Sequence, residues 1–268
     1  MKVRAFVPHG GRVGSLHEPL LAALVRSWRL PDSGATEQWL RRVLDVAVSL
    51  VALLAAAPVM LAIAAAIRLD SPGPALFWQV RMTRDRRGAE RRQRDASRSQ
   101  RDRRGGGDRR QCRLPGRPFR FVKFRTMVVD ARKRFPELYR YEYSPEEIRV
   151  FKFKLENDPR LTRVGRWLRK TTLDELPNFW NVLRGDMTLV GPRPEIPEMG
   201  RYYDGAQRRK FSVPSGVTGA AQTSGRGLLT FQQTAAYDLG YVDHRSIWLD
   251  LKLLVRTVLV TVKRTGAF

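Results

Sequence analysis

The sequence predicts a mostly helical α+β protein that is monotopic. It enters a membrane from one face through a helix–break–helix hairpin and lays amphipathic helices along that face. Three observations carry this expectation. First, residues Val46 to Ile67 form one long uncharged apolar run, in a chain of 268 residues with a formal charge of +24. A run of ~20 residues is enough to cross a bilayer. Second, Pro58 stands near the middle of that run and cations flank both ends, Arg41 and Arg42 before it and Arg68 after it. Proline removes a backbone hydrogen bond, and cations mark the cytoplasmic side of a membrane segment. Both ends therefore read as lying on one face, with Pro58 as the break. Ser49 or water is available to bond the carbonyls freed there. A straight span and a buried core helix are the alternatives. Third, Ser246 to Lys263 place Trp248, Leu251, Leu254, Val255, Val258, Leu259 and Val262 on one stripe, with Lys252, Arg256 and Lys263 off it. That pattern suits a helix in the membrane interface or one packed on a core.

The remaining elements follow in order. Residues 1–38 read as a weakly patterned, poorly ordered extension, in which Leu16, Leu20, Leu21, Leu24, Val25 and Trp28 offer the stripe of one short amphipathic helix as the alternative. No apolar core with a cleavage site occupies the first thirty positions, so no signal peptide is expected. Residues 39–69 are the membrane helix, and 70–268 a cytosolic domain. Asp70 to Met82 turn on Ser-Pro-Gly-Pro and continue as an extended segment, Phe77, Trp78 and Val80. Trp78 reads either as a headgroup-level indole or as part of a core strand. Residues 84–112 are almost devoid of apolar side chains and dense in arginine. They cannot bury enough surface to offset ordering entropy, so a disordered insertion is expected. Phe119 to Met127 alternate apolar and basic, with Phe119, Phe121 and Phe124 toward a core and Arg120, Lys123 and Arg125 elsewhere. Val128 to Lys154 read as amphipathic helix broken at Pro136 and Pro145, and Arg201 to Arg226 as a Gly/Pro-rich loop.

Composition narrows the function. Hydrophobic residues make up 43% of the chain, which permits a real core. The single cysteine, Cys112, excludes an internal disulfide and fits a reducing compartment. His9, His17 and His244 are scattered and offer no zinc spacing. No Ser/His/Asp triad, nucleophilic cysteine constellation or glycine-rich phosphate loop is visible. The charge calls for an anionic partner: nucleic acid, anionic lipid or a phosphorylated substrate.

The chemistry concentrates between Asn157 and Glu195. Two adjacent carboxylates, Asp174 and Glu175, follow Arg163, Arg166, Arg169 and Lys170 and precede Arg184 and Arg193. Guanidinium groups grip phosphate oxygens bidentately, and carboxylates hold Mg²⁺. The same residues also fit a capping box, Thr172 to Glu175. A helix is then expected to start within 173–176, since Pro177 is harmless only in a first turn. It would run to Leu183 and stop at Gly185.

This stretch closely resembles the bacterial sugar transferases, the monotopic phosphoglycosyl transferases that act on polyprenyl phosphate. The matching residues are Asp158-Pro-Arg160, Gly165, Leu168-Arg-Lys170, Leu173-Asp-Glu-Leu-Pro177, Asn181-Val-Leu183, Gly185-Asp-Met187 and Leu189-Val-Gly-Pro-Arg-Pro194. Further matches are Lys123-Phe-Arg-Thr-Met127, Gly216-Val-Thr-Gly219, Ala221-Gln222 and Gly225-Arg226. The long connection over 84–112 departs from the family. The resemblance implies the re-entrant hairpin and a site at the cytoplasmic face of a bacterial inner membrane. It implies that Asp174 is the nucleophile toward a UDP-sugar, releasing UMP, and that polyprenyl phosphate then takes the sugar phosphate. This is the first membrane step of exopolysaccharide or glycoconjugate synthesis. It further implies that magnesium (Mg²⁺) sits on Asp174 and Glu175, and that Lys123, Arg125, Arg169 and Arg193 hold phosphates. Gln222 and Arg226 are expected near the sugar nucleotide. Anionic lipid is an expected partner, nucleic acid is not, and self-association stays open. On residues alone, a basic nucleic-acid-binding membrane protein and a catalytically silent scaffold remain alternatives.

Overall fold

The computed structural model describes residues 35–84, 115–153, 155 and 157–262, with backbone only at 35, 226 and 262. The expectations for residues 1–34, for the Arg-rich stretch from 85 onward and for the Arg226 side chain lie outside the described residues.

Helix α1, Ala35–Asp70, runs through Pro58 without interruption. The expected helix–break–helix is therefore one continuous helix in its secondary structure. Pro58 removes its own amide donor, but the Ala/Leu-rich flanks are strong helix formers on either side. The Ser49 hydroxyl is not used at the proline. It is buried and has no hydrogen-bond partner among the described residues. Within the described residues α1 is one helix long and apolar enough to cross a membrane, and 11% of its most apolar window is buried.

Both ends of α1 are fastened to the globular part. Near its start, the Arg42 guanidinium donates to the carbonyls of Val182 and Leu183, each at 2.6 Å. The Asp45 carboxylate accepts from the Thr188 hydroxyl and the Leu189 amide, each at 2.8 Å. Near its end, Ile63 and Ile67 enter a core with Phe124 and Leu168. Asp70 accepts the Val164 amide at 3.0 Å. Between these attachments Leu50, Val51, Leu54, Val59 and Leu61 are exposed.

Strands β1 (Leu76–Thr83) and β2 (Arg117–Phe124) pair antiparallel, Phe77 opposite Lys123 and Arg81 opposite Phe119. Alternation along β2 then puts Lys123 on the face of Phe119 and Phe121. That corrects the expected separation of Lys123 from the phenylalanines, because Phe124 has the other parity. Phe77 and Trp78 are 40% and 43% exposed, so this end of β1 is not a core strand. The Arg120 guanidinium lies over the Trp78 ring at 5.4 Å.

Short helices α2 (Ala131–Arg134) and α3 (Pro145–Val150) follow, the latter closed by a Ser144–Glu147 capping box. Helix α4 spans Arg163–Thr171 and α5 spans Asn178–Leu183. Strand β3 (Thr188–Val190) pairs in parallel with β4 (Gly216–Thr218). The segment expected to be a plain loop thus contributes a strand and a helical turn, α6 (Ala220–Ser224). Its amides and carbonyls pair across to Thr188, Gly191 and Pro192. Helices α7 (Phe231–Asp243) and α8 (Ile247–Val262) complete the fold. The main core gathers Met82, Ile196, Met199, Tyr203, Phe211 and Phe231, behind the Pro-Arg-Pro loop.

Candidate active site

Helix α4 brings the first cation to the site. Thr162 caps it by accepting the Gly165 amide at 2.9 Å. A Cβ at Gly165 would lie 2.0 Å from the Thr126 carbonyl oxygen, so only glycine lets α4 close on that loop. The approach sets Arg169, whose Nε donates to the Thr126 hydroxyl at 3.3 Å and whose fork pairs with Asp158 at 3.3 Å. Asp158 is buried and also holds Arg160 bidentately at 2.7 and 2.8 Å.

After α4 the chain reverses at Thr172, which sits in the left-handed region at φ 60°. A β-branched residue rarely adopts that conformation. The expected capping box does not form: the Thr172 hydroxyl donates to the Thr171 carbonyl instead. Leu173–Glu175 make a single tight turn, and α5 starts only at Asn178, beyond the expected window. The turn is closed by bonds from the Glu175 and Leu176 amides to Thr172 and Leu173. Glu175 is thereby released from capping and pairs with Arg193 at 3.0 Å. Helix α5 ends as expected, with Gly185 at φ +75°.

Asp174, Glu175, Lys123, Arg169 and Arg193 all line one cavity of about 360 Å³, with Gln222 on another wall. Asp174 is 6% exposed, and its carboxylate lies 3.9 Å from the Lys123 ammonium. Burial raises the Asp174 carboxyl above its ordinary value against the pull of Lys123, and Glu175 beside it adds to the rise. Burial would raise Glu175 as well, but Arg193 and Lys123 outweigh it and the net shift is downward. Burial also lowers Lys123, from 10.5 to about 8, opposed by Asp174 and reinforced by Arg169 and Arg81.

Two placements depart from expectation. Arg125 does not line the cavity. It is 4% exposed, and its guanidinium donates to the Pro74 carbonyl, the Ser71 hydroxyl and the Ser71 carbonyl at 2.7–2.9 Å. Its role is to lock the Ser-Pro-Gly-Pro turn below α1, not to hold phosphate. Replacing it by alanine is expected to cost about 2–4 kcal/mol, since several buried acceptors lose their donor at once. Arg125→Lys should recover little of this, because an ammonium lacks the planar fork. A chemical-unfolding midpoint measures both.

Arg81 is the cation missing from the expected set. It lines the cavity and is held by Gln79 and by the Pro194 carbonyl at 2.8 Å. Its signal in the sequence was only an arginine interrupting an apolar strand. The Gln222 amide nitrogen and oxygen are shielded from solvent, and neither has a partner among the described residues. A buried carboxamide left this way is costly unless a ligand completes it.

No cluster of three or more carboxylate, histidine or cysteine ligands occurs among the described residues. Asp174 and Glu175 are instead the small oxygen set that suits Mg²⁺, which takes one or two carboxylates and fills its octahedron with water and substrate phosphate oxygens.

A model of the bacterial sugar transferases matches residues 36–90 and 106–264, both sides of the cavity and nearly all of α1. The chain belongs to the bacterial sugar transferase family. Among curated relatives of this family member, the galactosyl transferase CpsE of Streptococcus agalactiae serotype III (strain NEM316) is 36% identical over 228 residues, 85% of this chain and 43% of that protein. A UDP-galactose-lipid carrier transferase of Erwinia amylovora is 42% identical over 153 residues, 57% of this chain and 32% of that protein. A UDP-glucose:undecaprenyl-phosphate glucose-1-phosphate transferase of Caulobacter vibrioides is 36% identical over 226 residues, 81% of this chain and 68% of that protein. This family member spans less than half the length of the first two.

Proposed function

We propose that this chain transfers a sugar 1-phosphate from a UDP-sugar to polyprenyl phosphate and releases UMP. The observation that carries the reading is Asp174: a buried carboxylate 3.9 Å from Lys123, on a cavity where arginine and lysine outnumber acidic side chains. In the first step an Asp174 oxygen bonds to the sugar-linked phosphorus, and the bond from that phosphorus to the UMP oxygen breaks. In the second, an oxygen of polyprenyl phosphate attacks the same phosphorus and frees the Asp174 carboxylate, leaving a polyprenyl diphosphate sugar. Two displacements replace one between mutually repelling anions. Partial desolvation favours the nucleophile, since a poorly hydrated carboxylate has less water to shed. Lys123, Arg169, Arg193 and Arg81 bind and orient the diphosphate. Mg²⁺ bound by Asp174 and Glu175 would supply charge neutralisation for the diphosphate.

The reading places the site at the cytoplasmic face of a bacterial inner membrane, where nucleotide sugars are soluble and the acceptor is lipid. A straight span would set the ends of α1 on opposite faces, about 30 Å apart. Bonds from Arg42 and Asp45 at one end and Asp70 at the other, all to the globular part, favour a helix that bends near Pro58 while staying helical, and so returns to the face it entered. Its exposed middle is then the part in lipid.

The test is UMP release by the purified chain in lipid vesicles with undecaprenyl phosphate and a panel of UDP-sugars. Release with one or more donors is expected, lost in EDTA and restored by Mg²⁺; no release with any donor would sink the proposal. The pH profile adds a second check. Lys123 is cationic below about 8 and neutral above it, so kcat/KM should fall on an alkaline limb near 8, while burial of Asp174 moves the acid limb above the ordinary aspartate range. In the unfolded chain Lys123 keeps its proton to about 10.5, so this group's contribution to stability rises with pH between about 8 and 10.5. Lys123→Met should remove the alkaline limb.

A further inference from the structure

We infer that α8 forms the acceptor side of the site: the isoprenoid chain lies along its outer face, and the lipid phosphate reaches Asp174 past its inner face. The inference rests on the transferase reading above and adds the route of the second substrate. Two faces of one helix carry it. Trp248, Leu251, Val255, Val258 and Leu259 are exposed on the outer side. Thr257, Val260 and Thr261, on the other side, line the same cavity as Asp174. One helix, about 10 Å thick, thus separates an apolar surface from the cavity that Asp174 also lines.

A second observation ties that outer face to lipid. The start of α8 is joined to the start of α1: the Ile247 amide donates to Glu37 at 2.8 Å, and Asp250 pairs with Arg41 at 3.0 Å. The apolar stripe of α8 therefore begins beside the point where the membrane helix begins, and Trp39, Val43 and Leu44 of α1 are exposed there too. An apolar stripe next to a membrane helix fits an isoprenoid chain. The cavity side is different in character: the Thr257 hydroxyl, for example, bonds to Thr218 at 2.7 Å. The cations Lys123, Arg169 and Arg193 line the same cavity as that wall and suit a phosphate head.

The two half-reactions make this testable. Val255 and Val258 are 63% and 62% exposed, so glutamate at both should leave the fold intact. The full chain in nanodiscs is given UDP-glucose or UDP-galactose alone, then undecaprenyl phosphate, and in parallel a water-soluble short-chain isoprenyl phosphate. For Val255→Glu/Val258→Glu the expected result is an unchanged single-turnover burst of UMP. Turnover with the long-chain acceptor should fall at least tenfold, that with the short-chain acceptor should be retained, and leucine at both positions should restore the first. Unchanged long-chain turnover overturns the inference. So does loss of the burst, because the face would then serve the donor site. Absence of any burst from the unsubstituted chain with every UDP-sugar of the panel above would instead fell the transferase reading itself.

Discussion

Asp174→Asn is expected to lower UMP release by at least about a thousandfold while the protein stays folded. The magnitude follows from removing a covalent nucleophile rather than a binding contact. The amide matches the carboxylate in shape but cannot bond to phosphorus in its place. Folding should change little, because the substitution removes a charge that burial already disfavours. The decisive measurement is intact mass after incubation with a UDP-sugar and no acceptor. The unsubstituted chain should gain one sugar phosphate, and the Asp174→Asn chain none. Glu175→Gln should still accumulate the adduct, more slowly, because Glu175 pairs with Arg193 and does not itself bond to phosphorus. An adduct on the Asp174→Asn protein would transfer the nucleophile's role to another side chain.

Lys210→Met should be the most destabilising single change, by about 3–5 kcal/mol. Lys210 and Asp238 are 2% and 1% exposed and 2.9 Å apart. The ammonium also donates to the Tyr203 hydroxyl at 2.9 Å, and Tyr203 donates to Glu195 at 2.8 Å. Without the lysine, a carboxylate is left uncompensated in the interior, which is far costlier than never having had the pair. The companion variant Lys210→Met/Asp238→Leu should recover most of the loss. Thermal melting in detergent distinguishes them: a single variant as stable as the double would show the pair to be energetically idle. The chain of bonds ends two residues from Arg193 and both variants lack its lysine, so UMP release should fall in both.

The site was legible where chemistry and local pattern coincide. Asp174, Glu175, Arg169 and Arg193 lie within one short stretch, with left-handed residues at Thr172 and Gly185, one tight turn, α5 and β3 between them. Lys123 was legible as a cation near the carboxylates but not in its facing, because Phe124 stands at the wrong parity for the shared face. Arg125 was misread for a different reason. A guanidinium that grips backbone carbonyls and one that grips phosphate look identical in a sequence; only the turn at Ser71–Pro74 tells them apart. Arg81 was missed because its strand meets the Pro194 carbonyl only in the folded chain. The stretch from Arg201 to Arg226 was read as loop from its glycines and prolines. Yet Gly216 begins a strand whose partner lies on the far side of the Pro-Arg-Pro loop, and pairing of that kind leaves no periodic trace in three residues.

The double attachment of α1 has a practical outcome for anyone seeking a water-soluble version. A chain begun after Asp70 would not be the same domain minus a tether. The Leu189 amide would lose its acceptor, the last carbonyls of α5 would lose the guanidinium that bonds them, and Phe124 and Leu168 would face solvent where isoleucines had been. Solubility is better sought by recolouring the exposed leucines and valines of the helix than by cutting it away.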